Sequence, residues 1–168
     1  MRKRATNFPR RHVSDSQVEM TQLVLPNDTN QLGNLLGGRL MEWMDIAAAI
    51  AAQRHSNRVC VTAAVDELVF HQPIRLGEVV TLRASVNRAF GTSMEVGVQV
   101  VAENQLTGES KTANTAYFSF VAVDDENKPA FVPHLVPRTA VEKRRYHDAL
   151  ARRRTRCFQL RSRFHRYR

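Results

Sequence analysis

Cysteine is scarce in this chain: Cys60 and Cys157 are the only two among 168 residues. They lie far apart and make neither a C-x-x-C redox pair nor a thiolate metal spacing, so a reducing, cytosolic setting fits best. No run of about 18 apolar residues occurs, which leaves no candidate membrane span. The start, MRKRATNFPRRHV, is basic but lacks the apolar stretch of a secretory signal, and it is short and serine-poor for a transit peptide. G-x-S-x-G, the strand-to-helix elbow that exposes a catalytic serine, is missing, as are a phosphate P-loop and any metal-ligand cluster. A metal site is therefore not expected. What remains, with 43% hydrophobic residues, is enough apolar material for one domain with a sizeable core.

The net charge of +9 invites a nucleic-acid reading until its location is examined. Arg2, Lys3, Arg4, Arg10 and Arg11 precede the first acid, and residues 138–168 hold twelve Lys or Arg against Glu142 and Asp148. Residues 13–137 carry eight basic and fourteen acidic residues. The centre is acidic and the tails are basic, so only the tails offer a surface for a polyanion or an anionic membrane.

Periodicity orders the centre. SQVEMTQLVL alternates apolar residues as a strand, and PNDTN supplies a bend. A helix is predicted from about Gly38 to His55, with Leu40, Met44, Ala47, Ala48 and Ala51 on one face. Strand patterns follow at 58–70, 78–90, the segment SMEVGVQVVAE and 110–125, joined by Gly91-Thr92 and other tight turns. One early helix followed by a run of antiparallel strands is an α+β pattern. Residues 138–168 read as a basic helix with Ala149 and Leu150 as a weak apolar stripe, its last dozen residues frayed.

Asp45 is out of place in that scheme. It interrupts the apolar run of the helix, where aspartate is a poor former and costly to bury ionised. The residues around it match a pattern. NQLGNLLGGRLMEWMDIAAAIAAQRHS from Asn30, then VTAAVDELVFHQPIRLGEVVTLRASV, GTSMEV and FVAVD resemble the hotdog-fold acyl-CoA thioesterases, in particular the broad-range cytosolic acyl-CoA hydrolases. The resemblance covers about residues 16–137, the expected domain, between a basic N-terminal tail (1–15) and a basic C-terminal helix or tail (138–168).

The resemblance implies a five- or six-stranded antiparallel sheet around one long helix, dimers joined by a continuous sheet, and assembly of dimers in threes, with two active sites at each dimer interface. It makes Asp45 the catalytic carboxylate, as general base or nucleophile, and Asn30 the catalytic amide. Partial burial makes a carboxylate a better base, and an amide offers two donors and an acceptor to a water or a carbonyl. Gly37 or Gly38, at the positive end of the helix, is the implied oxyanion donor, with room for close approach of substrate. Coenzyme contacts are implied around NRAFGTSM: Arg88 for a phosphate, and Gly91, Thr92 and Ser93 for hydroxyl or N–H donors. Phe70 and Phe90 are candidates to line the pantetheine path. No separate cofactor is implied, since coenzyme A is part of the substrate and product.

Other readings compete. Hotdog dehydratases use a histidine near the helix, and none of the six histidines matches that position. An acyl-CoA binder without catalysis conflicts with an intact Asn30 and Asp45. A nucleic-acid or membrane-surface binder working through the tails finds only Phe158, Phe164 and Tyr167 as interleaved aromatics, with no nucleic-acid motif. No specific nucleic acid and no membrane insertion are expected.

Overall fold

The hairpin β4 (Val79–Phe90) and β5 (Ser93–Glu103) is the centre around which the other elements are laid. Phe90 faces Ser93 across a two-residue turn in which Gly91 takes φ +77°. A glycine at the first turn position suits a type II′ turn, whose twist matches that of the strands. In the computed structural model, residues 9–66, 68–70 and 72–164 are described, with side chains through 158. Arg2, Lys3 and Arg4 of the first tail, and Tyr167 of the second, lie outside the described residues, and the side chain of Phe164 does as well.

β6 (Ser110–Val123) pairs with β5, β3 (Val59–Val65) pairs with β6, and β2 (Val18–Leu23) pairs with β4 on the other side. The resulting antiparallel sheet has the order β2-β4-β5-β6-β3, so β2 and β3 are its edges. Alternation sends Val80, Leu82, Ala84 and Val86 of β4, and Met94, Val96, Val98 and Val100 of β5, to one buried face. The helix α1 (Gly37–Ser56) lies across that face. Ala47, Ala48, Ala51 and Ala52 are fully buried, and their small side chains let the helix sit close to the sheet. Asn57 ends it in a left-handed conformation, φ 51°. A curled antiparallel sheet around one long helix is the α+β hotdog arrangement.

Three features differ from the sequence expectations. Arg10–His12, inside the segment read as a tail, forms a short strand, β1, that pairs in parallel with β7 (His134–Val136). A three-residue polar strand with a partner over a hundred residues away leaves no periodic signal. β3 stops at Val65 rather than running to residue 70: its register against β6 ends there, and residues 66 and 68–70 are in no strand. Finally, the expected basic helix, α2 (Ala140–Phe164), runs on through residues expected to fray and is packed on the sheet's outer face.

The docked side of α2 is built from arginine as much as from apolar residues. Ala149 is fully buried, but beside it Arg152 pairs at 2.6 Å with Glu95, whose side chain is 0% exposed. The same guanidinium lies 3.6 Å over the Tyr117 ring. Asn87, the extra residue of a bulge in β4, donates to Glu95 at 3.1 Å. Gly97 makes room for it, since a Cβ there would fall 2.8 Å from the Asn87 amide nitrogen. Arg156 pairs with Asp66, tying α2 to the end of β3.

Candidate active site

The turn before α1 is organised by Asn30. Its Oδ1 accepts the N–H of Leu32 at 2.9 Å and of Asn34 at 3.2 Å, and its backbone N–H donates to Asn34 at 2.8 Å. The amide acceptor is thus used within the turn. Its NH2 group, on an exposed residue, bonds to no described residue. Asn30 is not the helix N-cap; Leu36 holds that place.

Leu36 has no side chain that caps, and the first turn of α1 contains no acid. The N–H groups at the start of a helix have no partner within it, and they carry the positive end of the helix dipole. Gly37 and Gly38 stand there. A Cβ on Gly38 would meet nothing within 4 Å, whereas one on Gly37 would come within 3.2 Å of the Phe70 ring. Phe70 therefore lies directly on the helix N-terminus.

Asp45 is two turns further along, half-buried, and accepts a hydrogen bond from the Thr62 hydroxyl at 2.8 Å. Thr62 belongs to the edge strand β3 and sits at a bulge, with the register against β6 shifting between Thr62 and Ala64. Bulges re-aim side chains, often beside active sites. Sequence reading missed Thr62. The signal was its position two residues after Cys60, on the inward side of an otherwise apolar strand. Glu42 is an exposed charge paired with Arg39 at 2.7 Å. Met41, Ile46 and Ile50 are exposed around Asp45, as are Val59, Val61 and Val65 on β3.

The hairpin residues form a separate group. The Arg88 guanidinium donates to the Tyr146 carbonyl at 3.1 Å and lies 4.1 Å over the Tyr146 ring, so α2 engages it. The carbonyls of Gly91 and Thr92 accept from Val132 at 2.8 Å and Ala122 at 3.0 Å. The hydroxyls of Thr92 and Ser93 bond to no described residue. A groove of about 990 Å³ lies under α2, lined by Asn87, Gly97, Tyr117 and Arg152, but by none of the candidate site residues.

Two histidine and cysteine environments are structural. His55, near the C-terminal end of α1, is fully buried, with Nε2 2.8 Å from the Pro133 carbonyl. Burial pushes its pKa below the usual histidine value, against the opposing pull of the Pro133 carbonyl. Cys60 is buried beside Ser56, and burial pushes its thiol up, which leaves it inert.

The structure thus brings Asp45 to Thr62, and Phe70 to Gly37, but leaves these two groups apart. Eight residues of helix separate Gly37 from Asp45, about 12 Å along the axis.

Residues 32–109 match the family model of the thioesterase superfamily. The uncharacterized acyl-CoA thioester hydrolase YkhA of Bacillus subtilis is 40% identical over 142 residues, covering 84% of this chain and 83% of that protein. The chain belongs to the thioesterase superfamily. Solved structures agree. A Staphylococcus aureus acyl-CoA hydrolase in complex with butyryl coenzyme A, coenzyme A and coenzyme A disulfide superposes with TM-score 0.85 at 34% identity, covering 94% of this chain and 98% of that one. A hexameric apo acyl-CoA thioesterase gives TM-score 0.88 at 38% identity, covering 90% and 97%. The chain spans about a quarter of the length of two mouse relatives, acyl-coenzyme A thioesterase 11 (24%) and acetyl-coenzyme A thioesterase (26%).

Proposed function

We propose that this chain hydrolyses acyl-CoA thioesters to a carboxylic acid and coenzyme A, at sites assembled between two copies of itself. The observation that carries this reading is the Asp45–Thr62 pair, a half-buried carboxylate held at 2.8 Å on an apolar, outward-facing side of α1. Alanine variants of the Staphylococcus aureus hydrolase replace an asparagine, an aspartate and a threonine spaced fifteen and seventeen residues apart, the spacing of Asn30, Asp45 and Thr62 here. That coincidence supports giving the three residues one task.

In the proposed reaction Asp45 takes a proton from water as it attacks the thioester carbonyl, and Thr62 keeps the carboxylate oriented. The oxyanion of the tetrahedral intermediate rests on the N–H groups of Gly37 and Gly38, preformed and unopposed by any acid in the first turn. The free NH2 of Asn30 holds the water or the carbonyl. Collapse breaks the C–S bond, and the coenzyme leaves as thiolate, to be protonated. If Asp45 instead attacks directly, a mixed anhydride forms and water completes hydrolysis. The coenzyme arm runs past Phe70, with Thr92 and Ser93 retained as donors to it.

Exposed Met41, Ile46 and Ile50, continuous with the edge strand β3, support a partner of the same chain. Pairing β3 with its copy would extend the sheet and cover this face, as an isologous interface does. The hexameric relative makes a trimer of such dimers a reasonable larger assembly, and the cytosolic rodent hydrolase, 39% identical, favours the cytoplasm. The test is thiol release from purified protein over acyl-CoA esters from acetyl to palmitoyl. Saturable release, lost by more than a hundredfold in Asp45→Ala, supports the reading; no release from any ester refutes it.

A further inference from the structure

The segment that carries Phe70 is held by polar side chains of other elements. At its start, Asp66 pairs with Arg156 of α2, and its N–H donates to the Tyr117 carbonyl at 2.9 Å. One residue before Phe70, the Val69 carbonyl accepts at 2.8 Å from the amide of Asn114, a residue only 4% exposed. At Pro73, the carbonyl accepts from Lys111 at 2.9 Å. Beyond it the segment pairs with the turn that bears Asn30: Leu35 donates to Ile74 at 2.7 Å, and Leu76 to Gly33 at 2.9 Å.

With their carbonyls accepting in this way, Val69, Pro73 and Ile74 are anchored although they belong to no ladder. Of the segment's apolar residues, Leu68 packs against the core, whereas Phe70 is 47% exposed and lies on Gly37. A half-exposed phenylalanine gains little stability from that contact. The polar ties around it are more than such a contact needs.

We propose that Asn114 and Arg156 are positioning residues for the hydrolysis. They hold Asp66 and Val69, on either side of Leu68 and next to Phe70, so that Phe70 lies against Gly37 and leaves the first N–H groups of α1 open from one side only. This rests on the proposed oxyanion role of that helix end. α2 then has a task beyond covering the sheet, since Arg156 reaches the substrate-facing aromatic through Asp66. Small displacements of a reacting group are costly in rate even when made far from the chemistry.

The test combines hydrogen exchange, which needs no substrate, with kinetics, using the full chain. Asn114→Ala and Arg156→Ala are expected to speed exchange in peptides covering 66–76 and 33–40 while leaving the β4–β5 hairpin protected. On a turned-over ester, each lowers kcat/KM about tenfold, mostly in kcat, and Arg156→Lys recovers most of the loss. Phe70→Ala shows a similar loss, and adding it to Arg156→Ala brings no further loss, because both act through one device. Unchanged exchange at 33–40, or losses that multiply in the double variant, overturns the proposal. If the wild type releases no thiol from any ester, the functional reading fails, yet exchange still decides whether Arg156 governs the helix end. If Asn114→Ala does not fold, the Arg156 and Phe70 variants decide it alone.

Discussion

The side chains that carry the proposed chemistry differ in how visible they are before folding. Asp45 could be read because it breaks an apolar helical pattern, and Asn30 because the surrounding motif is strong. Thr62 could not. A threonine in a strand is an ordinary strand residue, and only the packing of β3 against α1 reveals that its hydroxyl ends on a carboxylate. A hydrogen bond to a charged group contributes about 1.5–3 kcal/mol, so Thr62→Ala is expected to lower kcat roughly ten- to a hundredfold with the fold intact. Thr62→Ser, which keeps the hydroxyl, retains most of the activity in the same thiol-release assay. His55 makes a different prediction, about stability. Its folded pKa is lowered by burial, so the folded state takes up its proton later than the unfolded chain as pH falls. The stabilisation is present above the unfolded value of about 6.5 and is lost as pH falls from there toward the folded pKa. Arg11 opposes protonation and Asp15 favours it, neither as strongly as burial. Thermal melts from pH 8 to 5 are therefore expected to lose stability below pH about 6.5. His55→Gln, which can still donate to Pro133, is expected to flatten that loss; an equal loss in the variant would place the acid sensitivity elsewhere.

The central strands, the helix and the hairpin turn were legible because their apolar residues repeat with the periods of strand and helix. α2 was legible as a basic helix, but its docking on the sheet was not, and the reason is chemical. Hydrophobic periodicity finds elements that bury hydrocarbon, whereas α2 docks through Arg152 on Glu95, Arg156 on Asp66 and Tyr146 under Arg88. Its many arginines read as a solvated or polyanion-seeking tail, yet several of them are the docking surface. Glu95 makes the dependence measurable. Arg152→Ala leaves a fully buried carboxylate without its cation, which costs about 3–5 kcal/mol where such pairs are broken. The melting temperature is expected to fall by roughly 10 °C, given about 2–4 °C per kcal/mol for a chain of this size. Glu95→Gln added to Arg152→Ala recovers most of it, because the charge that was stranded is gone. A melt unchanged by Arg152→Ala would mean that the helix does not rest on this pair.

At the scale of the whole molecule, one copy does not bring its proposed functional groups together. Asn30, Gly37 and Phe70 lie at one end of α1, while Asp45 and Thr62 lie about 12 Å further along, on the face with exposed Met41, Ile46 and Ile50. The resemblance implied sites at a dimer interface, and the distance along α1 supplies a physical reason for one. A second copy pairing along β3 is the proposed remedy, and Ile50→Lys, placing a charge in that face, is expected to lower both the assembly state in sedimentation and the activity. The most direct measurement is complementation. Asn30→Ala and Asp45→Ala proteins, each nearly inactive, are co-expressed with different tags and the mixed dimers isolated. Such a dimer has one site with both wild-type residues and one with neither if the site is shared between chains. Activity near half that of the wild type is the predicted result; mixed dimers as inactive as their parents, though properly assembled, would contradict a site built from two chains.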